Sequence, residues 1–238
     1  MDVKEYTTDK LEERISYHFQ DRALLLQALT HSSFVNEQKK EKTQDYERVE
    51  FLGDAVLELV SSEFLFQNFG NLPEGELTKR RASMVCEPSL AFCAKDLELG
   101  KFMRMGKGEE STGGRTRESI IADGMEALIG AIYLDSGMEE ARKFIYRFIL
   151  NDLENKQLFY DSKSNLQEVV QANFKADLSY EPAGEIGPEH NKSFTFRVKL
   201  GNEILGEGTG RTKKAAEQQA AYQALLKLRE KGYVFKKH

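Results

Sequence analysis

The sequence predicts an all-α domain over the first two-thirds of the chain, followed by a small α+β domain of order α-β-β-β-α. Three observations carry that prediction. Up to about residue 150, apolar residues recur at helical spacing, with short breaks between the runs. In SFTFRVKL the period drops to two: Phe194, Phe196, Val198 and Leu200 alternate with Ser193, Thr195, Arg197 and Lys199. The chain then reaches TKKAAEQQAAYQALLKLRE, an alanine-rich run with strong helix propensity.

Taken in order, helices are expected over LEERISYHF (11–19), RALLLQALTH (22–31) and the stretch from Tyr46 to Phe69. ELTKRRASMVCEPSL (76–90) reads as helix broken near Pro88, because proline cannot donate to an interior helical hydrogen bond. MGKGEESTGGRTRES (105–119) reads as a polar loop made flexible by Gly106, Gly108, Gly113 and Gly114. ESIIADGMEALIGAIYLDSG (118–137) and MEEARKFIYRFILNDLENK (138–156) are two helices divided at Gly137. NKQLFYDSKS shows no period, which sets expected boundaries: a first domain over 1–156, a linker over 157–162, a second domain over 163–232 and a tail over 233–238. Within the second domain, SNLQEVVQANF reads as helix, and LSYEPAGEIG, SFTFRVKL and EILGEGTG as three strands.

Composition narrows the class. No apolar run approaches the roughly 18–20 residues needed to span a bilayer. The charged opening MDVKEYTTDKLEER is unlike a secretory signal, so a cytoplasmic protein is expected. Cys86 and Cys93 form no CxxC or Cys/His cluster and read as buried thiols. The net charge of −5 conceals an asymmetry: residues 160–238 hold 13 Lys+Arg against 10 Asp+Glu, and the rest of the chain 21 against 29. A mildly basic end on an acidic body hints at nucleic acid as a partner.

The acids of YERVEFLGDAVLELV (46–60) share one side of a helix. At roughly 100° per residue, Glu47, Glu50, Asp54 and Glu58 form a stripe, and Val49, Leu52, Val56, Leu59 and Val60 lie opposite. A solvated face explains such a stripe as readily as a binding face. A second pair, Asp123 and Glu126, sits in a helix apolar on nearly every side, where a carboxylate needs compensation for lost hydration. Hydrogen bonds from hydroxyls or backbone are one compensator and a divalent cation is another. Oxygen ligands without His or Cys favour Mg²⁺ or Mn²⁺ over zinc. If the two helices pack side by side, Glu50, Asp54, Asp123 and Glu126 converge in a cluster suited to metal-assisted phosphodiester hydrolysis.

ERVEFLGDAVL (47–57), PEGELTKRRASMV (73–85) and RESIIADGMEALIGAIYLDSG (117–137) together resemble the signature segments of the ribonuclease III family. The family usually has Asn before the Glu-Arg pair, where this chain has Tyr46. The resemblance implies an all-α endonuclease domain of the ribonuclease III fold, working as a homodimer around a valley for double-stranded RNA. By motif, it makes Glu50, Asp54, Asp123 and Glu126 the ligands of Mg²⁺, with Mn²⁺ as a substitute, and Asp54 and Glu126 the catalytic pair. Glu47 and Glu74 match supporting acidic positions, and Phe51 matches an aromatic residue at the dimer interface. It implies no small-molecule cofactor and no membrane partner. Expected products carry 5′-phosphates and 3′-hydroxyls with short 3′ overhangs, and expected substrates are ribosomal RNA precursors and structured messenger RNAs. Lys107, Arg115 and Arg117 in the glycine-rich loop could meet phosphates.

The last unit resembles a double-stranded-RNA-binding domain, with GPEH before the second strand and KKAAE opening the last helix. Thr212 suits an N-cap, and Lys213 and Lys214 follow it. Lysines oppose the positive end of the helix dipole, a placement that an RNA phosphate relieves. The resemblance implies that Gln167, Glu168 and Gln171 touch one minor groove, His190 the next, and Lys213 and Lys214 the phosphates between. Two other readings share the sequence: an RNA-binding regulator that does not cleave, and an acidic interaction module unrelated to RNA.

Overall fold

The computed structural model describes residues 7–38, 44–151, 162–186, 192–210 and 212–233. The chain divides into two compact units, Met1–Asn151 and Asp152–His238. The described part of the first unit is helical: α1 (Thr8–Ile15), α2 (Arg22–Ala28), α3 (Ser32–Glu37), α4 (Glu47–Asn68), α5 (Glu74–Val85), α6 (Glu87–Asp96), α7 (Leu99–Phe102), α8 (Lys107–Ser111), a 3₁₀ turn (Gly114–Thr116), α9 (Glu118–Ser136) and α10 (Met138–Phe148). Among the described residues no helix is long and apolar enough to cross a membrane. Cys93 is buried and Cys86 half-buried, and both remain thiols.

Helix α9 is the centre of this unit, and α2, α4, α6 and α10 pack around it. Its apolar residues on nearly every side account for that position: Ile120, Ile121, Met125, Leu128, Ile129 and Ile132 are all buried. Helix α4 lies closest. A Cβ placed on Gly53 would sit 1.8 Å from the Glu126 carbonyl oxygen, and one on Gly130 would sit 2.2 Å from the Val49 carbonyl oxygen. The two backbones therefore touch through reciprocal glycines, a contact no other residue permits.

That contact revises the expected faces of α4. Gly53, Val56, Leu57, Val60, Ser61 and Leu65 are buried with Val49, whereas Leu59, expected in the core, is 57% exposed. Approach through Gly53 turns the helix so that Gly53 and Leu57 face α9. The acidic stripe thus borders the packed face instead of lying opposite it.

Other boundaries also shift. The expected helix over 11–19 ends at Ile15, because Ser16 is left-handed with φ 54°. The Glu12 carboxylate then accepts the Phe19 N–H at 2.8 Å. The helix expected to reach residue 31 stops at Ala28, and His31 caps the separate α3, accepting the Ser33 N–H at Nδ1, 3.1 Å. The break near Pro88 occurs as expected: Cys86 is extended, and Pro88 sits in the first turn of α6, where its missing N–H is harmless. Helix α10 ends at Phe148, short of residue 156, and residues 152–156 lie outside the described residues. The loop over 105–119 is ordered, not loose. It holds α8 and the 3₁₀ turn, and the Glu37 carboxylate accepts the backbone N–H groups of Lys107 and Gly108 at 3.0 and 3.3 Å.

The C-terminal end of α9 is fastened to the chain's beginning. Asp135 accepts hydrogen bonds from the Tyr17 hydroxyl (2.5 Å) and from the backbone N–H groups of Gln20 (3.0 Å) and Asp21 (2.8 Å).

In the second unit, α11 (Ser162–Asn173) is followed by β1 (Leu178–Ile186), β2 (Ser193–Leu200), β3 (Glu203–Gly210) and α12 (Lys213–Glu230). The strands form one antiparallel sheet in sequence order. Phe196 and Val198 face the core and Arg197 faces out, the alternation expected of β2. Gly206 and Gly208 lie flat against the backbone of α12 around Ala216, Ala220 and Ala224, so strand and helix meet through their smallest residues.

Three outcomes follow for stability. Gly53→Ala forces backbone apart and is expected to cost about 1–3 kcal/mol or more, read as a lower urea midpoint. Gly75→Ala, in α5 with open space around its Cβ, is expected to be neutral or mildly stabilising. Burial opposes ionisation of Asp135, but the hydrogen bonds from Tyr17, Asp21 and Gln20 outweigh it and hold the carboxyl below its ordinary 3.8. A depressed folded pKa stabilises above the unfolded value and is lost as pH falls through the lower one. Asp135→Asn should therefore lower the urea midpoint at pH 6, with the gap to wild type narrowing as pH drops below 3.8.

Candidate active site

The α4–α9 contact decides where the acids stand. The Glu126 carbonyl lies against Gly53, between Glu50 and Asp54 in the chain, so carboxylates from both helices border one seam. Burial and the charges of Asp123, Glu47, Asp54 and Asp45 push the Glu50 carboxyl up to about 7. Burial and the charges of Asp54, Glu50 and Asp123 push Glu126 up to about 8. Burial raises Asp123 too, opposed by the hydrogen bond from Tyr46 and by His31. Each helix thus senses the carboxylates of the other, and among the described residues none of Glu50, Asp54, Asp123 and Glu126 is in an ion pair.

Glu47 opens α4 and contributes to the field at Glu50. Glu74 opens α5, where its carboxylate accepts the Thr78 hydroxyl at 2.8 Å. It is not among the charges that shift Glu50, Asp123 or Glu126 and lies instead in the groove lined by Leu59, Phe66 and Leu77. Phe51 is 79% exposed, an apolar ring held in water.

Several neighbours went unnoticed in the sequence. Asp45 adds to the field at Glu50, and Glu87 at the start of α6 is raised by burial, then by Asp123 and Glu118. Tyr46 is 3% exposed and donates its hydroxyl to Asp123 Oδ2 at 3.3 Å. Only the displacement of the usual Asn marked Tyr46; His31 and Glu87 arrive from distant segments and left no local signal.

The donor set fits a hard divalent cation: four carboxylates, no His or Cys, and repulsion that, among the described residues, no lysine or arginine neutralises by an ion pair. Among the described residues no three acidic, His or Cys side chains form a ready-made metal-ligand group, so the carboxylates approach without closing on one point. Like charges in a half-buried seam oppose closer approach unless a cation joins them.

The ordered loop uses its arginines internally. Arg115 donates to the carbonyls of Gly100 (3.2 Å), Lys101 (3.2 Å) and Met103 (2.8 Å) and pairs with Glu110 at 2.6 Å. Arg117 pairs with Glu109 at 2.5 Å. Lys107 is exposed at the start of α8.

In the second unit, Gln167, Glu168 and Gln171 are exposed along α11. Thr212 caps α12 as expected, its hydroxyl accepting the Ala215 N–H at 3.1 Å, and Lys213 and Lys214 are exposed in the first turn. Lys163 of α11 pairs with Glu217 of α12 at 2.5 Å, which sets these two surfaces side by side. His190 lies outside the described residues.

The chain is similar to known proteins over most of its length. Residues 21–153 match the family described as Ribonuclease-III-like, and residues 162–228 match the double-stranded RNA binding motif. Ribonuclease 3 of Caldanaerobacter subterraneus subsp. tengcongensis is 53% identical over 221 residues, covering 92% of this chain and 96% of that protein. Ribonuclease 3 of Shouchella clausii is 50% identical over 225 residues, covering 94% and 86%. A solved structure of the nuclease domain of ribonuclease III from Campylobacter jejuni, concerned with flexibility in a region involved in dimer formation, superposes with a TM-score of 0.58 at 44% identity. It covers 62% of this chain and 99% of its own.

The uncompensated seam has a measurable signature. Removing the charge by Glu126→Gln, in buffer with EDTA at pH 9, where the wild-type carboxyl pushed up to about 8 is ionised, should raise Tm by a few degrees, since about 1 kcal/mol is worth about 2–4 °C in a protein of this size, and the gain should shrink below pH 8. An unchanged or lowered Tm would show that the seam is not strained by its charges.

Proposed function

The chain belongs to the ribonuclease III family, the endoribonucleases of double-stranded RNA, and on that premise we propose that Glu50, Asp54, Asp123 and Glu126 ligate a divalent cation that serves hydrolysis of the RNA backbone. The observation that carries the reading is the mutual field of acids from α4 and α9, with no ion pair among the described residues to relieve it. Mg²⁺, or Mn²⁺ in its place, supplies Lewis acidity to a phosphate oxygen and acidifies bound water when present.

The protein's own part is placement. Buried packing on α9 holds Asp123 and Glu126 at fixed positions, and Asp54 on the exposed flank of α4 completes the set. Asp54 and Glu126, one from each helix, stand nearest the reacting phosphate; Glu47 deepens the negative field that retains cations, and Glu74, outside that field, lines the RNA valley from α5. Attack by water in line with the departing 3′ oxygen leaves 5′-phosphates and 3′-hydroxyls. Two copies form the working enzyme, with Phe51 passing from water into the partner; its exposure in the single chain supports that role. Paired sites on opposite strands produce short 3′ overhangs.

The second unit selects the duplex. Gln167, Glu168 and Gln171 present polar groups to a minor groove, Lys213 and Lys214 neutralise phosphates at the start of α12, and His190 enters the next minor groove. Lys107, with Arg115 and Arg117 once exchanged from their internal partners, adds phosphate contacts from the nuclease unit. The substrates are ribosomal RNA precursors and structured messenger RNAs in the cytoplasm. No small-molecule cofactor takes part.

The deciding assay is cleavage of a perfect duplex with Mg²⁺ by wild type and Glu126→Gln. The variant should bind duplex RNA as wild type does but cleave at least about 100-fold more slowly, matching loss of a group acting in the transition state. Equal cleavage rates would remove Glu126 from the site.

A further inference from the structure

Tyr46 belongs to both carboxylate-bearing helices at once. Its carbonyl oxygen accepts the backbone N–H groups of Val49 (2.9 Å) and Glu50 (2.8 Å), so it begins the turn that carries Glu50. Its hydroxyl crosses to α9 and donates to Asp123 Oδ2. The residue is fixed between these ends. Its N–H donates to the Thr30 carbonyl at 2.9 Å, and its ring meets the His31 ring edge-on at 5.7 Å between centroids. His31 is itself held by the Arg104 carbonyl (3.0 Å) and by Ser33.

The hydroxyl has little choice of partner. Tyr46 is almost wholly buried, and a buried hydroxyl without an acceptor gives up its hydration with nothing in return. Among the described residues its hydrogen-bond acceptor is Asp123, and at 3.3 Å the bond is long for a pair of oxygens. Its effect is therefore on orientation more than on binding: of the two Asp123 oxygens, Oδ2 is the one turned toward Tyr46.

We propose that Tyr46 is a positioning residue for the cation site, setting the rotamer of Asp123 relative to the α4 carboxylates through its hydroxyl. The inference rests on the ligand role assigned to Asp123 above. A phenol on a ligand's second oxygen does for a carboxylate what an orienting hydrogen bond does for a metal-bound imidazole. Glu87 cannot substitute, because it adds a like charge beside Asp123 and no donor.

The test is Tyr46→Phe in the full chain, which keeps the ring against His31 and removes only the hydroxyl. Mn²⁺ binding is measured without RNA by electron paramagnetic resonance of free Mn²⁺, beside Glu126→Gln, Asp123→Asn and the double variant Tyr46→Phe/Asp123→Asn. Duplex cleavage is followed across Mg²⁺ concentrations. Tyr46→Phe should weaken Mn²⁺ binding about 10–100-fold and raise the half-saturating Mg²⁺ concentration in parallel. The maximal rate should suffer less than that half-saturation, and thermal melting should confirm folding. In the Asp123→Asn background, Tyr46→Phe should cost nothing further. If Tyr46→Phe binds Mn²⁺ as wild type does while Glu126→Gln binds it poorly, Tyr46 has no positioning role and the site assignment stands. A full additional loss in the Asp123→Asn background overturns action through Asp123. If Glu126→Gln and Asp123→Asn both bind Mn²⁺ as wild type does, the site assignment fails and the role of Tyr46 with it.

Discussion

The contact between Gly53 and Gly130 is the constraint on which the nuclease unit depends. Two helices can bring backbone to backbone only where neither carries a Cβ, and here each supplies one such position against the other's carbonyl. The depth of that contact determines how near the acids of α4 come to those of α9. One methyl group at either glycine would separate the seam before it altered a single carboxylate. The chemistry is thus set by two residues that have none.

Close approach carries an electrostatic cost that ordinary proteins avoid. Half-buried carboxylates of like charge, with no ion pair among the described residues, are destabilising in the folded chain. The unit accommodates them because α9 is otherwise apolar and deeply packed, with Leu128, Ile129 and Ile132 fully buried on its remaining faces. Stability from the core of α9 offsets the penalty along its one acidic edge. The second unit shows the opposite economy: glycines of β3 against alanines of α12 bring sheet and helix close without gathering charge.

Much of this was legible in the sequence because it is periodic. The apolar run around Asp123 and Glu126 announced both a central helix and the need for compensation, and the alternation from Ser193 to Leu200 announced β2. What escaped was non-local. The close approach of α9 at Gly53 has no signature in the periodicity of α4, so the buried face of α4 was placed too near Leu59. Gly106 and its neighbours suggested a loose loop, yet Glu37 and the carbonyls around Arg115 order it from segments far away in the chain. His31, Tyr46 and Glu87 come within reach of Asp123 only through the fold. Short helices such as α3 and α8 are too brief to show a period at all.

Helix α9 is secured at both extremities: by Lys95 on Glu118 (3.1 Å) and the Arg117–Glu109 pair at its start, and by Asp135 at its finish. A rod clamped at each end has little compliance in rotation or sliding. The acidic seam then resembles a vice with one stationary jaw, Asp123 and Glu126, and one adjustable jaw, the exposed Asp54 at the solvent flank of α4. In the proposed site, an RNA strand that arrives with imperfect geometry would be met by rotamer changes at Asp54 while Asp123 and Glu126 stay in place.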